Sequence, residues 1–226
     1  YDIDTLARQS TFEETTYLLW NRKLPSRSEL DEFTTQIRSN YALTETHLDM
    51  IVSIPRDASP MHALRTLCSA LALEDPAADD HSTAANERKS IAMLSKMPAL
   101  IAGFDRHRKG LDFVDPDPEI CLSENFLYML NGEKPTDQMA KAMDICLILH
   151  ADHGFNASTF ASLVTISTLS DMYSAVTTAI GTLKGPLHGG ANQGVMIMLQ
   201  EIDTLDDVEE YVMNKLQNKE RVMGFG

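Results

Sequence analysis

The chain has 226 residues, 43% of them hydrophobic and 23% charged, the composition of a folded globular protein rather than a disordered one. A formal net charge of −14 leaves no basic stripe to neutralise phosphates, so nucleic acid is not an expected partner. Cys68, Cys121 and Cys146 lie far apart with no CxxC pair, which argues against a disulfide framework or a zinc knuckle and points to a reducing, cytoplasmic setting.

Helical periodicity dominates from the start. In "TFEETTYLLWNR", Thr11 is a candidate N-cap with Glu14 three residues on, and Leu18, Leu19 and Trp20 follow as an apolar patch. In "SRSELDEFTTQIRSN", Ser26 or Ser28 caps a helix whose Leu30, Phe33 and Ile37 recur at helical spacing. "SPMHALRTLCSALALED" puts Met61, Leu64, Leu67, Cys68 and Leu71 on one face. The stretch "STAANERKSIAMLSKMPALIAGFDRHRKG" predicts a long helix that Pro98 kinks. Two further helices meet at Asn131-Gly132 and Pro135. The second, capped by Thr136, has Met139, Ala142, Met143, Cys146 and Leu147 as its expected buried stripe. No long alternating strand pattern occurs, and "RDASP", "LEDPAADDH" and "FVDPDPE" read as acidic surface loops. The fold class is all-α.

Between His153 and Lys184 the single charged residue is Asp171, yet the stretch is rich in Ser and Thr and never reaches about 18 consecutive apolar residues. It reads as a buried helix pair or a helical dimer interface, and no membrane is expected as a partner.

Two places hold residues suited to chemistry. "LILHADHGFN" crowds His150, Asp152, His153 and Asn156 at the end of an apolar helix, where a histidine can also simply bond the last carbonyls. "LKGPLHGGANQG" presents His188 among glycines just before a new helix, where Gly189-Gly190 reads as backbone that other residues tolerate poorly. A neutral imidazole at a helix N-terminus can donate a hydrogen bond to a nascent enolate oxygen; a Gly-rich turn with an incidental histidine stays open as the plainer reading. A third reading makes His150, Asp152, His153 and His188 metal ligands of a hydrolase, although HxDH fixes no metal class and no HExxH is present. The cysteines sit in or beside apolar helix stripes and pack there as small hydrophobes.

"YDIDTLA", "ILHADHGFNASTF", "GPLHGGAN" and the terminal "GFG", in that order and spanning essentially the whole chain, resemble the citrate synthase family in its shorter bacterial and archaeal form. The resemblance implies a multihelical large domain over residues 1–187 and the beginning of a small helical domain over 188–226, in a homodimer. It also implies condensation of acetyl-CoA with oxaloacetate to citrate, with no cofactor beyond the coenzyme A thioester and no metal. 2-Methylcitrate synthase, which takes propionyl-CoA, is the near alternative; a non-catalytic helical dimer is the distant one. In the family pattern His188 is the catalytic histidine at the thioester oxygen, and His153 and Asn156 lie at oxaloacetate. Leu187 and Val222, Met223, Gly224, Phe225 and Gly226 line the coenzyme A site. The family's second catalytic histidine, its aspartate base and its oxaloacetate arginines belong after Gly226. An internal fragment, inactive by itself, is therefore the expectation.

Overall fold

The computed structural model describes residues 1–202 and 204–225, which form twelve α-helices, two short 3-10 turns and no strand. In chain order the helices are α1 (Ile3–Gln9), α2 (Phe12–Asn21), α3 (Arg27–Ser39), α4 (Glu45–Ser53), α5 (Pro60–Ala70), α6 (Thr83–Lys109), α7 (Leu122–Asn131), α8 (Asp137–His150), α9 (Ala157–Ile166), α10 (Met172–Leu183), α11 (Gly190–Gln200) and α12 (Val208–Gln217). Side-chain caps start most of them. Ser26, not Ser28, caps α3 in a full capping box with Glu29. Thr11 accepts from the Glu14 amide, but the Glu14 carboxylate turns to the Ser10 hydroxyl, so only half of that box forms. Thr136, Asn156 and Asp171 cap α8, α9 and α10. None of the helices is long and apolar enough to cross a membrane.

α6 is the spine. It runs as one helix of 27 residues through Pro98, whose ring removes the N–H that would have bonded the Leu94 carbonyl. One of its sides joins α4, α5 and α10 in a core of Ile51, Leu67, Cys68, Leu100, Phe104 and Tyr173. Its other side joins α3 and α7 around Phe33, Ile37, Tyr41, Ile91 and Leu122. Because neighbours cover both sides, the middle of α6 is buried at Ile91, Met93, Ala99, Leu100, Ala102 and Phe104 alike.

Two sequence expectations fail here, both for polar reasons. In α8 the inward face is Met143, Asp144, Leu147 and Ile148, while Met139, Ala142 and Cys146 are exposed. The rotation buries Asp144, which accepts the Phe12 amide at 3.0 Å and the Lys141 ammonium at 3.2 Å. Nor do all the cysteines pack as hydrophobes: Cys68 is buried, Cys121 sits at the N-cap of α7, and Cys146 faces outward. A second buried carboxylate, Glu13, accepts the Leu122 amide at 2.8 Å and so caps α7 from a distance in sequence.

α9 and α10 pack closely along facing hydroxyls. Ser162 donates to the Ala175 carbonyl at 3.2 Å and Thr165 to the Thr178 hydroxyl at 3.1 Å. The outer side of α9 is uncovered, with Phe160, Leu163 and Val164 exposed and no residue of the helix buried. α11 and α12 likewise contain no buried residue.

Candidate active site

α10 ends at Leu183, and the chain reverses through Lys184–Gly189 before α11 begins at Gly190. The amides of His188 and Gly190 both donate to the Gly185 carbonyl, at 3.0 and 3.1 Å, which winds the turn tightly. The glycines are needed for room rather than for unusual dihedrals. Gly189 has φ −61, within reach of any residue, but a Cβ there would stand 2.4 Å from Leu183 Cδ1. A Cβ on Gly190 would stand 2.7 Å from the carbonyl oxygens of Lys184 and Gly185. The expectation of a backbone that other residues tolerate poorly is thus replaced by one of close approach.

The turn delivers His188 to a cavity of about 590 Å³ that it shares with His150, Asp152, His153, Asn156 and Ser158. His188 Nε2 lies 2.8 Å from Ser158 Oγ, and the same hydroxyl is 3.1 Å from the Ala179 carbonyl. Ser158 therefore ties the histidine loop to the α9–α10 pair. Nothing in "NASTF" singles out this serine from its hydroxyl neighbours; only the tertiary contact does.

The other expected site residues divide. His153 and Asn156 line the cavity with His188, so the two distant motifs do converge. Asn156 Oδ1 is already occupied, accepting the Thr159 amide at 3.0 Å as the cap of α9. His150 turns back along its helix, Nδ1 donating to the Cys146 carbonyl at 2.7 Å, which is the end-of-helix role. Asp152 Oδ1 accepts the Gly154 amide at 2.8 Å and closes a local turn. Among the described residues no three His, Cys, Asp or Glu side chains gather as a metal-ligand set. Leu187 projects into solvent at 87% exposure. Val222, Met223, Gly224 and Phe225 do not line the cavity. Met223 packs on Gly194, and Gly224, at φ +90, lies against Val195, while Phe225 is exposed. Gly226 lies outside the described residues.

The citrate synthase C-terminal domain family model matches residues 1–226. The chain belongs to the citrate synthase family. "Citrate synthase 2" of Bacillus subtilis (strain 168) is 48% identical over 227 residues, covering 100% of this chain and 61% of that protein. The 2-methylcitrate synthase of Mycobacterium tuberculosis (strain H37Rv) is 42% identical over 226 residues, covering 100% of this chain and 57% of its own length. Among solved structures, the citrate synthase of Thermoplasma acidophilum, in ternary complex with carboxymethyl coenzyme A and oxaloacetate, superposes with a TM-score of 0.90 at 32% identity over 100% of this chain and 60% of its own. Like other members of the citrate synthase family, this chain is all-α, and it spans about three-fifths of the length of these relatives.

Proposed function

We propose that this chain carries one half of the active site of an enzyme that condenses acetyl-CoA with oxaloacetate to give citrate and free coenzyme A. The observation that carries this reading is His188, held by Ser158 on a crowded glycine turn over a cavity that also contains His153. A thioester methyl is a very weak acid, so enolisation needs a base at the methyl and a hydrogen-bond donor at the carbonyl oxygen. His188 supplies the donor. Ser158 Oγ has one proton, which goes to the Ala179 carbonyl at 3.1 Å. When the hydroxyl turns to donate to Nε2 instead, that nitrogen is bare, Nδ1 carries the ring proton, and a neutral ring offers Nδ1–H to the developing oxyanion. The start of α11 adds the positive end of a helix dipole, which favours the developing anion.

His153 and Asn156 line the same cavity and are assigned to oxaloacetate. The enol carbon attacks its ketone, and hydrolysis of the resulting thioester releases citrate and the thiol. The coenzyme A moiety is assigned to Leu187 and to residues 222–226, which closure over substrate would bring in. Among the described residues the one carboxylate lining the cavity is Asp152, whose Oδ1 accepts the Gly154 amide, and the base is assigned to the remainder of the protein. Residues 1–226 alone are accordingly expected not to turn over.

The exposed apolar side of α9 supports assembly as a homodimer through residues 156–183, within the large domain assigned to 1–187; residues 188–226 begin the small one. Propionyl-CoA is the competing substrate, supported by the 2-methylcitrate synthase relative; one methylene is worth only about 1–3 kcal/mol of discrimination. The test is thiol release by the full-length protein with each acyl-CoA and oxaloacetate. His188→Ala should lower kcat by roughly 10²–10³, the cost of losing one oxyanion donor. An unchanged kcat would remove His188 from the chemistry.

A further inference from the structure

A second cavity, of about 200 Å³, shares no lining residue with the one at His188. It lies where α4, α6, α10 and the turn after α5 meet, and its walls carry His47, Glu74, Asp75, Arg88, Lys96 and Tyr173. The hydrogen bonds already made there are lopsided. Asp75 accepts from Arg88 with both oxygens at 2.9 Å, from the Tyr173 hydroxyl at 2.8 Å and from the Ala77 amide at 3.0 Å. Glu74 accepts from the Thr44 hydroxyl at 2.7 and 2.9 Å, with His47 Nδ1 at 3.2 Å. Asp75 is thus fully engaged, while Glu74 shares one hydroxyl proton and the His47 contact.

The donors are not fully engaged. Lys96 Nζ gives one hydrogen bond, to the Ala42 carbonyl, out of the three an ammonium can make. Arg88 holds Asp75 through one terminal nitrogen and leaves the rest of its fork free. His47 is 1% exposed, and its Nε2 has no hydrogen-bond partner. Because the Thr44 hydroxyl donates to Glu74, it accepts from Nδ1, at 2.7 Å, and the ring proton sits on Nδ1. Nε2 of the neutral ring is therefore a bare acceptor and becomes a donor only when an adjacent anion draws a second proton onto the ring. Burial lowers the pKa of both His47 and Lys96, since each charged form lacks enough compensation from Glu74 alone.

We propose that this cavity is a binding site for a compact oxyanion, a carboxylate or phosphoryl group received by Lys96 and Arg88 beside the buried His47. An anion there would use the free donors and supply the charge that the buried ring and ammonium lack. The volume sets the size: it is below the range of about 300–1,000 Å³ that encloses drug-sized ligands, so a small acid or a single phosphate group fits and a whole dinucleotide does not.

The test is titration of the chain with inorganic phosphate and, separately, with succinate. The readouts are the His47 ring resonances by NMR and the melting temperature, each against potassium chloride at matched ionic strength. Saturable binding by either anion, with the His47 ring pKa moving up on saturation, supports the site. Which anion binds more tightly identifies phosphoryl or carboxylate chemistry. Lys96→Met and, as a milder change, Lys96→Gln should each weaken that binding at least about tenfold, the worth of roughly one charge-assisted hydrogen bond; His188→Ala should leave it unchanged. No saturable response above the chloride control, binding that survives both Lys96 variants, or binding lost in His188→Ala would each overturn the proposal.

Discussion

α1–α10 and α11–α12 are helical for different reasons, and His188 sits on the seam between them. In the first region helices hold one another: every residue of the two main cores comes from it, and buried carboxylates reach between helices. In the second no helical residue is buried, and Met196, Ile197, Leu199 and Leu216 present apolar side chains to solvent. Short helices are marginal in water without a packed face. The His188 turn therefore draws its rigidity from the α10 side, through the Gly185 carbonyl and Ser158, rather than from the helix it introduces.

The sharpest way to break this contrast is to truncate one leucine on each side. Leu67, 1% exposed in the α5–α6–α10 core, should cost about 2–5 kcal/mol on change to alanine. Leu199, 52% exposed on α11, should stay within about 0.5 kcal/mol. Urea unfolding of the two variants measures both. Equal losses would mean that α11 is packed as firmly as α5.

Glu13 probes the polar side of the same contrast. Glu13→Ala strands the Leu122 amide in the interior and should cost about 1–3 kcal/mol. Glu13→Gln keeps the acceptor without the buried charge and should be at least as stable as the parent at pH 7. The sign follows from burial, which raises the Glu13 pKa above its ordinary 4.5. The fold thus favours the protonated acid, and this group's contribution is greatest below pH 4.5 and is lost as pH rises through the folded pKa. Chemical denaturation at stepped pH should show that decline in the parent and not in Glu13→Gln.

Glu13 and Asp144, the two buried carboxylates that accept amides from distant helices, also mark the limit of what sequence patterns reveal. The helices were legible because caps and apolar spacing are local: Thr11, Ser26 and Thr136 start helices where the pattern places them. The α8 face was not, because Asp144 looks like a surface residue until its partner, the Phe12 amide, is brought up by the fold. At the site, His153, Asn156 and His188 stood out as motifs, and the structure gathers them at one cavity. The reason for Gly189 and Gly190 was misread, because crowding by Leu183 and Lys184 is invisible in a list of residues whereas glycine's dihedral freedom is familiar. Ser158 was invisible for the same reason: its importance is a distance.

That distance gives the subtlest test. Ser158→Ala removes the hydroxyl 2.8 Å from His188 Nε2 but leaves the buried surface of α9 and α10 almost intact. A role confined to packing would leave kcat unchanged. A role in fixing the ring predicts a kcat lower by about tenfold in the full-length protein, near the upper end of what one neutral hydrogen bond contributes, with KM for oxaloacetate little changed. Without that hydroxyl the ring is freer to flip, and its donor loses its aim at the thioester oxygen. Ser158→Thr keeps the hydroxyl and should recover most of the rate. If alanine and threonine lose activity equally, crowding at the α9–α10 contact, and not the hydrogen bond, is what holds His188 in place.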